Sequence, residues 1–489
     1  MKKSYFKKTL EYLAGNVFNK LIYIILLPLF TRLMAPEVYA VYSNLVIFIS
    51  FLSLLYFLGI QQAVFSYFYK EKTNTYKFKL ISSIYLTLIV IGIIFSLLII
   101  VFRTDLALLI VRDKSYGVLF IYTALILFLD SIHGITQSLL NILERSSSYV
   151  LLGLIKHFSF LFLVIIFSIT RVLSLEHIFI AMTITSAISA LVALIFASGF
   201  LREFAKDLSS LDYFSIPLIK PVLKFGLIMI PGTMAMMILR LSDRYMLTYL
   251  SARELYDVGI YAIGYRVGMI MSILTSLVSM VYFPYAMRIS DREESIESYQ
   301  QMYKYFAVFG CFLGIIVILL APEIFHLFID SAYYEGIKIV FFGVISHFLL
   351  GLFNILNINF YIREKAKNIA VAVIIGALVN ILLNFLLIPH YGLYGAGAAS
   401  IFSYLLIVVI NYFSVRIKYN LEYTLSYIIF PLLILLLFSL GNFILPYLLN
   451  ITILKITWIF LMCLSFIIVI IKNKKFRLDL TNYLHGKTN

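Results

Sequence analysis

A chain of 489 residues that is 62% hydrophobic and only 13% charged, with a mean hydropathy of +1.00, is not a soluble globular protein. Its formal charge of +15 would suit nucleic acid in a soluble domain, but in so apolar a chain basic loops report membrane orientation and contact with anionic headgroups, so no nucleic-acid partner is expected. Two cysteines, Cys311 and Cys463, both lie inside apolar runs and read as small membrane-embedded residues, not as a disulfide or a metal pair.

Apolar runs of about 20 residues recur from end to end, which is the pattern of transmembrane helices. In chain order they predict fourteen spans, near 10–31, 39–63, 80–102, 116–141, 149–170, 177–199, 222–248, 257–284, 303–321, 336–361, 368–388, 394–415, 423–446 and 451–471. The basic start, MKKSYFKK, precedes an apolar stretch too long for a signal peptide and without a small-residue cleavage site, so it reads as a retained first helix.

Lys20, beside Asn16 and Asn19, lies about two turns into the first span. It either snorkels to the inner face or meets an anion entering from that side, with Gln61 and Gln62 of the second span as possible companions. The fourth span carries Asp130, His133, Gln137 and Asn141 at i, i+3, i+7 and i+11, one continuous helical face. Such a stripe must face protein or water. It is either hydrogen-bonded packing or, through Asp130 and His133, a carrier of coupling protons. Residues 201–221 form a polar linker with two prolines.

The seventh span holds ILRLSDRYML (238–247), with Arg240, Asp243 and Arg244 on neighbouring faces. Arg240 lies about ten residues before the following outer turn and Arg266 about ten after it, so antiparallel helices would bring them to similar depth. Two readings stand here: an interhelical ion pair through Asp243 that locks the lobe, or surplus cations lining a wet cavity for an anionic substrate. Arginine suits bidentate phosphate binding and stays charged. His347, Asn354, Asn380 and Asn384 in the tenth and eleventh spans read as packing polar groups. GAGAAS (395–400) mimics a dinucleotide fingerprint but follows no strand, and no phosphate-binding P-loop occurs, so no cofactor is expected.

Assigning the termini and even-numbered loops to the cytoplasm places 27 of 39 Lys and Arg inside, Lys156 among them, against 8 outside. The positive-inside rule then puts both termini in the cytoplasm. The chain also repeats. LMAPEVYAVY (33–42) and LSARELYDVGIY (250–261) match at Leu33/Leu250, Ala35/Ala252, Glu37/Glu254 and Tyr39/Tyr256, and both are outer turns. NILERSSSYV (141–150) and NFYIREKAKNIA (359–370) echo one another at inner turns. Six helices per copy keep one orientation, so the repeats are parallel, with a substrate site expected between lobes. The expected domains are a six-helix lobe (1–200), the linker (201–221), a second six-helix lobe (222–418), and two further helices with a basic tail (419–489).

AGNVFNKLIYIILLPLFTRLMAPEVYAVYSNL (14–45), FGLIMIPGTMAMMILRLSDRYMLTYLSARELYDVGIYAIGYRVG (225–268) and NILLNFLLIPHYGLYGAGAAS (380–400) resemble bacterial polysaccharide and O-antigen flippases. These form the polysaccharide transporter branch of the multidrug/oligosaccharidyl-lipid/polysaccharide exporter superfamily. The resemblance covers roughly residues 10–420. It departs from the family where Ala40 stands in place of the glycine that usually follows the Pro-Glu turn; Gly259 supplies it in the second half. The resemblance implies an all-α, V-shaped two-lobe transporter with two extra C-terminal helices in a bacterial inner membrane. It implies movement of a polyprenyl-diphosphate-linked oligosaccharide to the outer leaflet, with membrane lipids and a polysaccharide polymerase as further partners. Arg240, Arg244, Arg266 and Lys20 are then the expected substrate cations, and Asp130, His133, Gln137 and Asp243 the expected coupling or polar residues. Two related functions remain alternatives, a drug/cation antiporter and a flippase of lipid-linked peptidoglycan precursor. An antiporter needs deep carboxylates, and the deep charges are net positive. A polymerase or glycosyltransferase needs a large outer loop or an acidic metal cluster, and the sequence has neither, so no enzyme is expected.

Overall fold

The computed structural model describes residues 25–170, 173–205, 213–290, 295–419, 423 and 425–444. Helix follows helix, with no strand among the described residues. Hydrocarbon offers no water to backbone N–H and C=O groups, so long apolar segments satisfy them internally as helices. Ten helices among the described residues are long and apolar enough to cross a membrane. They match the second to twelfth predicted spans, the eleventh and twelfth following one another directly across a sharp turn at Gly392. The first span is described only over 25–33; the thirteenth is the helix Ser426–Ile444, and the fourteenth, with Cys463, lies outside the described residues. Cys311 is buried with a free thiol.

The chain divides into two compact units. One comprises the described residues of Ala14–Ala262 with Val373–Ala399. It contains α1 (25–33), α2 (Pro36–Phe57), α3 (Ile60–Tyr67), α4 (Asn74–Val101), α5 (Arg103–Val111), α6 (Gly117–Ile142), α7 (Ser146–Ile169), α8 (Leu175–Ala205), α9 (Ile216–Leu250) and the start of α10 (Glu254–Gly268). The units are cut differently from the repeat halves, because α9 and 373–399 group with the first-half helices. At the centre, α6 packs along α8 and α4. Ala181, Thr185, Ser189, Ala193 and Ala197 of α8 are all buried and recur every four residues, a small-residue row that admits a close neighbouring helix. The second predicted span breaks at Leu58 and Gly59, where φ is 44° and 68°. The break lets Gly59 lie backbone to backbone on Gly226 of α9, and a Cβ on either would strike the other's main chain. The short helix α5 occupies what the sequence reads as loop, closed by Arg112 at φ 60°.

The two repeated turns, 33–42 and 250–261, also meet in this unit. A Cβ on Gly259 would stand 2.6 Å from the carbonyl carbon of Pro36. The second-half glycine is therefore required by contact with the first-half turn, while Ala40 is fully buried without such a constraint.

The other unit comprises the described residues of Ile263–Ala372 and Ser400–Asn489. It holds the end of α10, α11 (Ser272–Leu277), α12 (Phe283–Arg288), α13 (Ser295–Phe328), α14 (Val340–Ile362), the ends of α15 (Ala366–Tyr419) and α16 (Ser426–Ile444). α14 is its most buried span, with α13 packed against it and α16 against α13. The eighth predicted span is interrupted by a 3-10 turn at Met269–Met271 and a π turn at Val278–Tyr282. The π turn precedes Pro284, whose ring nitrogen cannot donate to the helix ladder. The turn expected near 389–393 is present: Gly392, at φ 52° and ψ −130°, breaks Ala366–Tyr419 (α15) into two helices, and the chain folds back so sharply that a Cβ on Gly395 would stand 2.5 Å from the Leu387 carbonyl oxygen.

Candidate functional site

α9 starts with Pro217 in its first turn and carries Pro221 and Pro231 inside. Proline at a helix start loses nothing, whereas Pro231 removes one hydrogen bond and loosens the middle of the span. The ionic cluster follows. Arg240 is exposed and makes no ion pair among the described residues. Asp243 is 3% exposed and Arg244 9%. Asp243 accepts hydrogen bonds from the Tyr261 hydroxyl of α10 at 2.8 Å and from Asn384 Nδ2 of α15 at 3.0 Å. Asn384 Nδ2 also lies 3.0 Å from Asn380 Oδ1, which accepts from Ser242 Oγ at 3.1 Å. Three helices thus join in one buried polar network around a carboxylate. Such a network makes a charge tolerable in a low-dielectric interior.

Neighbouring bonds fix the register of α9. Asn44 Nδ2 of α2 donates to Thr248 Oγ1 at 2.9 Å, and the Tyr245 hydroxyl donates to the Asn44 carbonyl at 2.9 Å. At the turn after α9 Ser251 donates to Asp257, and Arg253 pairs with the same carboxylate at 2.6 Å. Gly392 sits against this group, its missing Cβ 3.1 Å from Asp257 Oδ2.

The α6 stripe is split among its neighbours. Asp130 forms an ion pair with Lys156 of α7 at 2.6 Å. Lys156, counted by sequence with the inner segments, is the eleventh residue of α7 and stands at membrane depth; the inner excess falls by one. His133 shares a hydrogen bond with Ser189 of the small-residue row on α8. Gln137 is half-buried, and Asn141 is exposed at the end of the helix. Arg266 is half-buried on α10 in the other unit, and Lys20 lies outside the described residues. Among the described residues, no group of three His, Cys, Asp or Glu is placed to hold a metal.

Sequence reasoning underrated Asn380 and Asn384, which read as generic packing groups, and passed over Tyr261, Lys156 and Ser189. Asn380 and Asn384 are four apart, so both fall on one helical face, and that spacing was the available signal.

A family model described as "Polysaccharide biosynthesis protein" matches residues 5–290. No curated protein matches the sequence. Among solved structures, the chain is similar to the lipid II flippase MurJ in an inward closed conformation, at 15% identity and a TM-score of 0.70, over 93% of this chain and 97% of that one. An inward-facing multidrug resistance MATE family transporter of the MOP superfamily is 14% identical with a TM-score of 0.62, over 82% and 94% of the two chains. A MATE protein in its straight conformation is 13% identical with a TM-score of 0.59, over 86% and 96%. At these identities the likeness establishes the fold.

Proposed function

The chain belongs to the polysaccharide biosynthesis protein family, and from that premise we propose that it is a flippase for a polyprenyl-diphosphate-linked oligosaccharide. In this reading the substrate is an O-antigen, capsule or exopolysaccharide repeat unit, moved from the cytoplasmic to the outer leaflet of a bacterial inner membrane. Both termini lie in the cytoplasm, the repeat halves 1–200 and 222–418 alternate access, and a polysaccharide polymerase takes the product.

The observation that carries the reading is Arg240. An exposed guanidinium deep in an apolar helix requires water or an anion beside it. The nearby carboxylate of Asp243 accepts hydrogen bonds from Tyr261 and Asn384. A diphosphate is the anion that a planar, permanently charged guanidinium suits. Arg244, Arg266 and Lys20 are the further cations of this reading. Asp243 and the Asp130–Lys156 pair, with His133 and Gln137 near the latter, are the polar groups available for ion coupling. An inside-negative potential favours outward movement of each substrate charge by about 2.3 kcal/mol per 100 mV.

The similarity to MurJ favours a lipid-linked peptidoglycan precursor as the second reading. One experiment separates the two. The gene is deleted, and lipid-linked oligosaccharide and lipid-linked peptidoglycan precursor are quantified on the cytoplasmic side of the membrane. Accumulated complete oligosaccharide, relieved by the wild-type gene but not by Arg240→Ala at equal protein level, is the expected result. Accumulation of the peptidoglycan precursor instead moves the substrate to the second reading. If neither accumulates and drug tolerance falls, the protein is an antiporter.

A further inference from the structure

At the break between α2 and α3 the first unit has a cleft formed by those helices and α9. It holds about 70 Å³ and opens to the outside of the protein. Its lining is mostly apolar, with Leu54, Phe57, Met229 and Ile230, and its polar groups, Ser53, Gln61, Gln62 and Thr233, are neutral. The described lining contains no charged residue.

Ser53 and Thr233 direct their hydroxyl protons to their own helices, to the Ser50 carbonyl at 2.7 Å and the Met229 carbonyl at 3.0 Å. Their remaining lone pairs can accept. The side-chain amides of Gln61 and Gln62 make no hydrogen bond to a described residue; Gln62 is engaged through its backbone N–H, to the Gly59 carbonyl. Each amide supplies two donors and a carbonyl acceptor. Gln61 is half-buried and Gln62 exposed, so both amides are open to a ligand that both donates and accepts. Room for them is built into the neighbouring helix. A Cβ on Gly134 of α6 would stand 2.7 Å from Gln61 Nε2 and 2.6 Å from the Phe57 ring. Gly59, locked on Gly226, holds the α2–α3 break in place behind them.

Neutral donors and acceptors beside one aromatic face match a sugar. Its hydroxyls bond both ways, and its C–H face lies on a ring. Thr233 and Arg240 are seven residues apart on α9, so they share a face about 10 Å apart along the axis. A diphosphate and its first sugars cover that span. We propose that this cleft binds a sugar residue of the lipid-linked oligosaccharide, one end of a head group whose diphosphate lies at Arg240. The proposal rests on the flippase reading and adds to it a carbohydrate subsite.

The test uses the full chain in lipid nanodiscs and two probes. One is polyprenyl diphosphate carrying no sugar; the other is lipid-linked oligosaccharide extracted from the deletion strain. The double variant Gln61→Leu, Gln62→Leu is compared with wild type, with Gln62→Ala as a second variant at an exposed position. Losing about two neutral hydrogen bonds lowers affinity for the sugar-bearing probe about tenfold. Affinity for the sugar-free probe stays at the wild-type value, which also shows that the variant is folded. Equal loss for both probes, or no loss for either, overturns the sugar subsite. A wild-type protein that binds both probes equally overturns it too, while the flippase reading survives. Wild-type protein that binds neither overturns the flippase reading and the subsite together.

Discussion

Replacing Lys156 by methionine strips the ammonium from a carboxylate held at membrane depth. Lys156 is ten residues past the start of α7, and Asp130 is twelve before the end of α6. At 1.5 Å per residue both stand about 15–18 Å from those helix ends, near the middle of a hydrocarbon core of about 30 Å. The Nζ–Oδ1 distance is 2.6 Å, and the side chains are 21% and 26% exposed, so the pair is mostly but not wholly desolvated. Removing one member of a buried pair costs about 3–5 kcal/mol, because the survivor is left charged and unpaired. Residual exposure lets Asp130 regain some solvation, which brings the expected loss for Lys156→Met to about 2–3 kcal/mol. Removing both charges, in Asp130→Asn with Lys156→Met, should return stability to within about 1 kcal/mol of wild type. The assay is thermal unfolding of the purified protein, run as a double-mutant cycle. If the double variant loses as much as the two single variants added together, the residues are not acting as a pair and the reasoning is refuted. A stable double variant that no longer supports transport would assign the carboxylate to coupling, separate from its structural part.

Further outcomes follow from the contacts of α9 and the long kinked helix. Gly226→Leu drives a side chain into the Leu58–Gly59 backbone, which cannot rotate aside, and should cost about 1–3 kcal/mol or abolish expression; an unchanged melting temperature would disprove the close approach of α3 and α9. Tyr261→Phe leaves Asp243 one donor short and should cost about 1–2 kcal/mol, measured by the same unfolding assay, with no loss expected if the hydroxyl does not reach the carboxylate. Gly392→Ala forces an L-residue to φ 52° and ψ −130° and should cost about 1–3 kcal/mol. Gly199→Ala on α8 meets nothing within 4 Å and should be neutral or stabilising by up to about 1 kcal/mol. Equal effects at the two glycines would remove the argument from backbone geometry.

The helices were legible because hydropathy and length act on each segment separately. Runs of about 20 apolar residues suffice to place a span, whatever it later touches. What the sequence hid depends on contacts between distant segments. The break at Leu58–Gly59 answers to Gly226, far along the chain, and an isolated glycine in an apolar run does not announce its partner. The turn between the eleventh and twelfth spans was legible from Pro389 and Gly392, but its tightness was not, because it depends on Gly395 lying against the Leu387 backbone. At the candidate site the charges stood out against hydrocarbon, so Arg240, Asp243 and Asp130 were found at once. Their partners were not. Tyr261 and Ser189 are common residues in such helices, and Lys156 was absorbed into a count of inner charges. Only the packing of α6 against α7 and of α9 near α10 and 373–399 selects them.

The Lys156–Asp130 pair also bears on how the chain enters the membrane. A lysine or aspartate at the centre of a helix costs about 2.5–3.5 kcal/mol to insert. Taken singly, α6 and α7 each carry that penalty. They are joined by the three residues 143–145, with Glu144 at φ 54° making the tight turn, so the two helices emerge together as an antiparallel hairpin. Inserted as a hairpin, they bring opposite charges to the same depth and present the lipid with no net charge there. Biogenesis of this protein therefore favours release of α6 and α7 from the insertion machinery as one unit, after Lys156 has been synthesised.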